Sequence, residues 1–228
     1  MSPDMTLDPD DAAYAGQAVY TRRALQAYDA IIFGFNCPVI WRCRKTNFID
    51  LYNAHVSTRH LDIGVGTGLL LDRCKFPAPD PAITLMDMNP NSLHAAATRL
   101  KRYTPHTHQA NVLKPWGLPT GSFESVGMCN LLHCLPGTLA DKAIVFEHAR
   151  AVLTPGGVVL GTTLLGKGVD HTRLAKRTLS ATNRRGVMSN LDDSLEDLTA
   201  ALARTFTSYD VDTVGSMALF SARTPLRG

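Results

Sequence analysis

The chain has 228 residues, of which 45% are hydrophobic and 19% charged, and its formal net charge is +3. This length suits one large domain with a full core, and the small net charge argues against a nucleic-acid partner. No apolar run reaches the roughly 18 residues that a membrane-spanning helix needs, so no membrane span is expected.

Five cysteines are spread over the chain, and no two of them form a C-x-x-C pair. Their odd number and their spacing predict neither a disulfide framework nor a zinc site. We therefore expect reduced thiols, no bound metal and a cytoplasmic location.

The N-terminal quarter of the chain precedes the first predicted strand. Residues 1–12 contain four aspartates and no basic residue. They are expected to form a flexible acidic tail rather than a secretory signal, which begins with basic residues. Residues 13–57 contain two helix-like stretches, 17–32 and 39–55, with a predicted break at residues 36–38.

From residue 58 onward, apolar runs alternate with helix-like segments. Strands are predicted at residues 59–63, 82–88, 107–110, 125–130, 158–164, 206–214 and 216–223. Helices are predicted at residues 68–74, 89–103, 139–153, 173–180 and 194–204. This alternation predicts a parallel sheet with helices on both faces, and the tight connection at Gly215 makes the last two strands antiparallel. The expected fold class is therefore α/β, with a single sheet of seven strands.

Local signals mark the ends of several elements. Asn89, which is followed by Pro90, is a candidate N-cap for the helix that begins there. Asp192 and Asp193 are candidate caps for the last helix. Residues 154–157, with the sequence Thr-Pro-Gly-Gly, predict a turn before the fifth strand.

The most distinctive motif follows the first predicted strand. An apolar run that contains Asp62 is followed by Gly64, Gly66 and Gly68, and a helical pattern begins at Leu69. Glycines permit a sharp turn and let a ligand lie against the main chain, because no Cβ intervenes. The spacing G-x-G-x-G differs from the dinucleotide fingerprint G-x-G-x-x-G, whose last position is Leu69 here. A nicotinamide-dependent oxidoreductase is therefore disfavoured.

This motif, together with the alternating elements and the antiparallel end, resembles the class I S-adenosylmethionine-dependent methyltransferases. The resemblance covers about residues 58–223. It implies a Rossmann-like core that binds S-adenosylmethionine and releases S-adenosylhomocysteine. Residues 13–228 would then be one methyltransferase domain, in which residues 13–57 form a helical lid and residues 58–223 form the cofactor-binding core.

The resemblance implies cofactor contacts at the carboxyl ends of the first four strands, where ligands of open α/β sheets bind. The expected contacts are Asp62, Gly64, Gly66, Gly68, Asp87, Met88, Asn111, Val112 and Asn130. Asp87 lies about 20 residues beyond the glycine loop and can accept hydrogen bonds from ribose hydroxyls, the alternative being a loop cap. Asn111 stands where many members have an acid, and its oxygen can still accept from the adenine amino group. Asn130 is expected near the methionine part.

The acceptor site is less defined. Methyl transfer is an in-line displacement, so the protein mainly positions the acceptor and excludes water, and a general base is optional. His133, after the fourth strand, is the best candidate for a base, and otherwise it only lines the pocket. Tyr28 and Trp41 are candidate acceptor contacts in the lid, the alternative being packing in the core. The basic stretch 167–185 is a solvated helix face or a surface for an anionic acceptor.

The function implied by the resemblance is methylation of a small biosynthetic or secondary metabolite, on oxygen, nitrogen, sulfur or carbon. The fourth strand is followed by Asn-Leu-Leu-His at residues 130–133, not by the Asn-Pro-Pro-Tyr type of sequence found in enzymes that methylate amino groups of bases. The alternative is a protein of the same fold that binds S-adenosylmethionine without transferring methyl. The expected partner is a small-molecule acceptor, and a homodimer is left open.

Overall fold

The structure is a computed structural model that describes residues 21–226, apart from the side chains of Arg22 and Arg23. The predicted acidic tail at residues 1–12 lies outside the described residues. The helices are α1 (Arg22–Asp29), a π-helix (Ala30–Ile40), α2 (Lys45–His55), α3 (Leu69–Arg73), α4 (Pro90–Arg99), α5 (Leu139–Lys142), α6 (Ile144–Val152), α7 (Arg173–Arg184) and α8 (Leu195–Thr205), with short 3-10 turns at Lys101–Tyr103 and Leu132–Cys134. The strands are β1 (Arg59–Ile63), β2 (Ala82–Asp87), β3 (His106–Gln109), β4 (Phe123–Cys129), β5 (Leu153–Leu164), β6 (Ser208–Val214) and β7 (Met217–Arg223).

All seven strands form one sheet in the order β3-β2-β1-β4-β5-β7-β6. The first five strands pair in parallel, and β7 runs antiparallel to both β5 and β6. The strand order reverses between β1 and β4, which is where ligands of open α/β sheets bind. The α/β class, the Rossmann-like sheet and its antiparallel end are confirmed.

Helices cover both faces of the sheet, and each face has its own apolar core. On one face α6 and α8 contribute buried residues such as Phe146 and Leu202. On the other face α2, α3 and α4 contribute residues such as Phe48, Leu71 and Ala96. Among the described residues, no helix is long and apolar enough to cross a membrane.

The predicted helix break at residues 36–38 is wrong. The helix continues through Pro38 as a π-helix, and the Trp41 N–H donates to the Asn36 carbonyl at 2.9 Å, five residues back. The missing N–H of proline costs one hydrogen bond, but Phe33 and Cys37 are buried in the core, so packing holds the helix together. The chain instead turns between this helix and α2.

Two other local predictions need correction, and one is confirmed. The cap of α8 is Ser194, whose hydroxyl accepts the Asp197 N–H, while Asp193 turns inward to Lys142. Residues 154–157 form a bulge within β5 rather than a turn outside it. The cap at Asn89 is confirmed, because its side chain accepts the Asn91 N–H at 2.8 Å.

Candidate active site

The glycine loop between β1 and α3 has three left-handed glycines, Gly64, Gly66 and Gly68, with φ of 69°, 52° and 72°. A Cβ on Gly64 would lie 2.9 Å from Leu131, and one on Gly68 would lie 3.1 Å from the backbone of Ala96. A Cβ on Gly66 would meet only Tyr28, at 3.7 Å. Packing therefore restricts Gly64 and Gly68, whereas Gly66 leaves its backbone open to a cavity.

This cavity, which we call the strand-end cavity, lies at the carboxyl ends of β1, β2 and β4. Seven of the nine predicted cofactor residues line it, namely Gly64, Gly66, Asp87, Met88, Asn111, Val112 and Asn130. The other two, Asp62 and Gly68, line a smaller cavity beside it. Tyr28, Gly66 and Asn130 line both, so the structure brings all nine predicted positions to one place.

Asp87, the last residue of β2, presents its carboxylate to the strand-end cavity. The Asn89 N–H donates to Oδ1 at 2.8 Å. Burial among protein atoms raises the pKa of Asp87 to about 6, although hydrogen bonds from the Asn89, Gly66 and Val65 N–H groups oppose this shift. The carboxylate is therefore held in place and is ionised at neutral pH, so it can accept hydrogen bonds from ligand hydroxyls.

Asp62 is held by residues that sequence reasoning missed. The Tyr52 hydroxyl donates to its Oδ1 at 2.6 Å, and His60 Nε2 lies 3.4 Å from the same oxygen. Gly127 on β4 lies directly below this cluster, where a Cβ would collide with Asp62 Oδ1. Tyr52 lies on α2, outside the motif, and only its place in a helical pattern was visible in the sequence.

Two asparagines have side chains fixed by neighbours. Asn111 Oδ1 accepts the Leu113 N–H at 2.9 Å. Asn130 follows β4 with a φ of 59°, a conformation that asparagine tolerates better than most residues. Thr162 Oγ1 accepts the Asn130 N–H and donates to Asn130 Oδ1, both at 3.2 Å. The side-chain NH₂ of Asn130 therefore points away from Thr162.

A second cavity, which we call the apolar cavity, adjoins the first and has a volume of about 260 Å³. Tyr28, Asn130 and Cys134 line both cavities, so the two meet at the end of β4. Leu164, Val187, Met188 and Met217 supply much of the apolar wall. No Asp, Glu, Lys or Arg lines it among the described residues. This lining suits a largely apolar small molecule.

The remaining wall comes from α1 and the π-helix. Six of the eight lining residues in this segment form two columns with a step of five: Ala27, Ile32 and Cys37 in one, and Ile31, Asn36 and Trp41 in the other. An α-helix turns residues five apart to different faces, whereas a π-helix pairs i with i+5. The π-helix therefore aligns both columns on the cavity, and the predicted pocket residues Tyr28 and Trp41 both line it.

His133 lies in the 3-10 turn after β4, is 5% exposed and lines the apolar cavity. The Leu164 N–H donates to its Nδ1 at 3.1 Å, and Thr163 Oγ1 lies 3.5 Å from the same atom. Burial, helped by the nearby Lys142 ammonium, lowers the pKa of His133 to about 3. The imidazole is therefore neutral at physiological pH.

The basic stretch 167–185 includes α7. Its cationic side chains are exposed, and Lys167 pairs with Asp192 at 3.1 Å. Ala175 and Leu179 form the buried side of α7. This arrangement matches a solvated helix face packed on the core.

Comparison with known proteins shows that this chain is similar to methyltransferases. A family model described as a methyltransferase domain matches residues 61–159. Demethylluteothin O-methyltransferase of Streptomyces thioluteus is 41% identical to this chain over 215 residues, 94% of each protein. The physcion biosynthesis cluster O-methyltransferase of Aspergillus chevalieri is 37% identical over 212 residues, 92% of this chain and 95% of that one.

A solved structure supports the fold. Phosphoethanolamine N-methyltransferase 2 of Haemonchus contortus, in complex with S-adenosyl-L-methionine, matches with a TM-score of 0.69 and 16% identity. The match covers 93% of this chain and 59% of that one.

Proposed function

The chain belongs to the class I S-adenosylmethionine-dependent methyltransferases, and from this premise we propose that it methylates a hydroxyl oxygen of a largely apolar acceptor, whose only charge is the oxyanion formed when that hydroxyl ionises. Membership establishes the cofactor and a small-molecule acceptor. It also decides against a fold that binds S-adenosylmethionine without transfer, because the relatives are named as methyltransferases. The methylated atom and the class of acceptor are the proposal.

The residues of the strand-end cavity fit the cofactor. S-adenosylmethionine supplies an electrophilic methyl group on a sulfonium sulfur. In our proposal Asp87 accepts hydrogen bonds from the ribose hydroxyls, Gly66 lets the backbone approach, and Met88 and Val112 enclose the adenine. The Asp62 carboxylate, fixed by Tyr52, would bind the amino group of the methionine part.

The junction of the two cavities is the observation that carries the proposal. An acceptor in the apolar cavity would meet the cofactor at Tyr28, Asn130 and Cys134. The absence of an acid among the described lining residues favours a hydroxyl compound over a protonated amine. The names of the two relatives, both O-methyltransferases, support oxygen as the methylated atom.

The direct test is transfer of labelled methyl from S-adenosylmethionine to matched acceptors. Apolar phenols should be methylated by the purified protein, and the corresponding anilines and phenols with an additional charged substituent should not. Methylation of the anilines alone would overturn the choice of oxygen.

A cavity-filling variant tests the place of the acceptor. Ala27→Trp should abolish methylation while calorimetry shows that S-adenosylmethionine still binds. Phe35→Trp, at an exposed position on the π-helix, is the matched control and should stay active. Full activity of Ala27→Trp would move the acceptor site elsewhere.

We also propose a cytoplasmic location without a nucleic-acid partner. All five cysteines lie within the described residues, and none of them forms a disulfide. Burial raises the pKa values of Cys37, Cys74 and Cys129 to about 12, which keeps these thiols protonated and unreactive. A homodimer stays a prediction, which sedimentation of the purified protein would test.

A further inference from the structure

The hydrogen bonds of His133, whose imidazole lines the apolar cavity, determine which of its two ring nitrogens carries the proton. A backbone N–H can only donate a hydrogen bond, so the contact from Leu164 requires an unprotonated Nδ1. A neutral imidazole carries one proton, which must then lie on Nε2. Among the described residues, Nε2 has no protein hydrogen-bond partner, and His133 forms part of the cavity wall.

The surroundings hold this arrangement in place. The His133 carbonyl accepts the Ser189 N–H at 2.9 Å. Lys142 Nζ binds the Ser189 carbonyl and lies 2.7 Å from Asp193 Oδ2, and both charged side chains are almost fully buried. Among the described residues, the titratable groups that face His133 are the ammonium of Lys142, paired with Asp193, and the cavity-lining groups of Tyr28, Cys37 and Cys134. The fixed ammonium opposes a second proton on the imidazole.

From this geometry we propose that His133 determines acceptor specificity as a hydrogen-bond donor. Its Nε2–H binds an acceptor oxygen, and the acceptors are phenols or enols acidic enough to reach the site as oxyanions. In this tautomer the lone pair of Nε2 belongs to the aromatic ring, so Nε2 cannot take a proton from the acceptor. The inference rests on the proposed oxygen methylation.

The bond changes balance without a base from the enzyme. The hydroxyl gives its proton to water when it ionises. The oxyanion forms the bond to the methyl carbon as the carbon–sulfur bond breaks, and that electron pair stays on sulfur. An oxyanion in an apolar cavity needs a donor, which is what the Nε2–H supplies.

The tautomer can be measured directly, without acceptor or turnover. Proton–nitrogen correlation spectra of the ¹⁵N-histidine-labelled protein should show His133 with its proton on Nε2 over roughly pH 5 to 9, where ordinary histidines titrate. The His133→Gln spectrum assigns the signal by its loss. A proton on Nδ1, or titration of His133 within this range, would overturn the inference.

Kinetics provide the second arm. For a series of phenols of graded acidity, the midpoint of the kcat/KM–pH curve should follow the acidity of each phenol. A midpoint fixed at one pH for all of them would reveal a base on the enzyme and overturn the inference. If no phenol is methylated, the proposed function fails, whereas the spectra still decide the tautomer.

Two variants separate donor from base. His133→Gln keeps an N–H donor and should retain most of kcat/KM. His133→Leu lacks one and should lower kcat/KM by about 10- to 150-fold, mainly through KM, as expected for a hydrogen bond to a charged group. Equal losses of about 10²–10⁴ in kcat for both variants, with KM unchanged, would indicate general-base catalysis instead.

Discussion

The guanidinium of Arg99 lies 2.7 Å from the carboxylate of Asp29, and both side chains bind the hydroxyl of Thr67. These residues belong to α4, to the end of α1 and to the glycine loop, respectively. The cluster therefore joins the N-terminal helix to the loop that carries Gly66. It gives the proposed lid a definite attachment point.

We predict that Arg99→Met loosens this attachment. Backbone amides of residues 22–40 should exchange faster, because the variant keeps the aliphatic stem but loses the ion pair. The free energy of unfolding should fall by less than about 1 kcal/mol, since both side chains are partly exposed. Hydrogen exchange and urea unfolding measure the two effects.

The matched control is Arg102→Met, which breaks the ion pair with Asp72 and does not contact α1. It should leave exchange in residues 22–40 unchanged. In the wild type, S-adenosylmethionine should slow exchange of the same amides, as a lid requires. Identical exchange with and without ligand would make this segment a static part of the fold.

Asp87 should make cofactor binding dependent on pH. Its pKa in the free protein is about 6, so the carboxyl group is protonated as the pH falls below that value and loses its capacity to accept two hydroxyls. Between about pH 8 and pH 5 the affinity for S-adenosylmethionine should fall roughly tenfold, following one proton. Titration calorimetry at each pH measures this affinity. Asp87→Asn should bind more weakly and show no such dependence over this range, and a similar pH dependence in both proteins would contradict the assignment.

A side chain at Gly66 should impair binding of the ligand without preventing the protein from folding. Gly66→Ala should weaken S-adenosylmethionine binding at least tenfold, or about 1.4 kcal/mol, while the variant stays folded. Gly117→Ala is the matched control, because Gly117 also has a left-handed φ, of 65°, and nothing lies within 4 Å of its Cβ position. The two variants should show similar losses of unfolding free energy. Normal binding by folded Gly66→Ala would remove the loop from the cofactor site.

The buried pair of Lys142 and Asp193 should matter for stability. Lys142→Met leaves a buried carboxylate without its partner and should cost about 3–5 kcal/mol in urea unfolding. The double variant Lys142→Met/Asp193→Leu should recover much of this loss, because no charge is then left unpaired. A double variant that is less stable than the single one would show that the unpaired carboxylate is not the cause of the loss.

The sequence predicted the sheet well because periodicity and turn chemistry are local. The bounds of β1 match the prediction, and Asn89 caps its helix as expected. The predicted cofactor residues were taken from the order of strand ends, and all of them line the strand-end cavity or the smaller cavity beside it. The contact between Asp29 and Arg99 joins residues 70 positions apart, and the contact between Tyr52 and Asp62 joins α2 to β1. Neither leaves a local signal in one sequence.

The sequence also could not predict the tautomer of His133 or the π-helix. The position of His133 after β4 indicated a pocket residue. Its tautomer, however, depends on the N–H of Leu164, which lies on β5. The π-helix was missed because Pro38 predicts a break in an α-helix, and only burial of the neighbouring residues holds the helix together.

The winding of the π-helix bears on how acceptor preference could diversify among relatives. Substitutions in the two columns that line the apolar cavity would change its shape. Substitutions of the half-exposed Phe35 and Val39 would not, because these residues do not line it. A single-residue deletion between residues 30 and 40 would go further. It would favour ordinary α winding, rotate α1 against the rest of the enzyme and replace several wall residues at once. Insertions and deletions here are thus a short route to a new substrate, with the cofactor-binding core left intact.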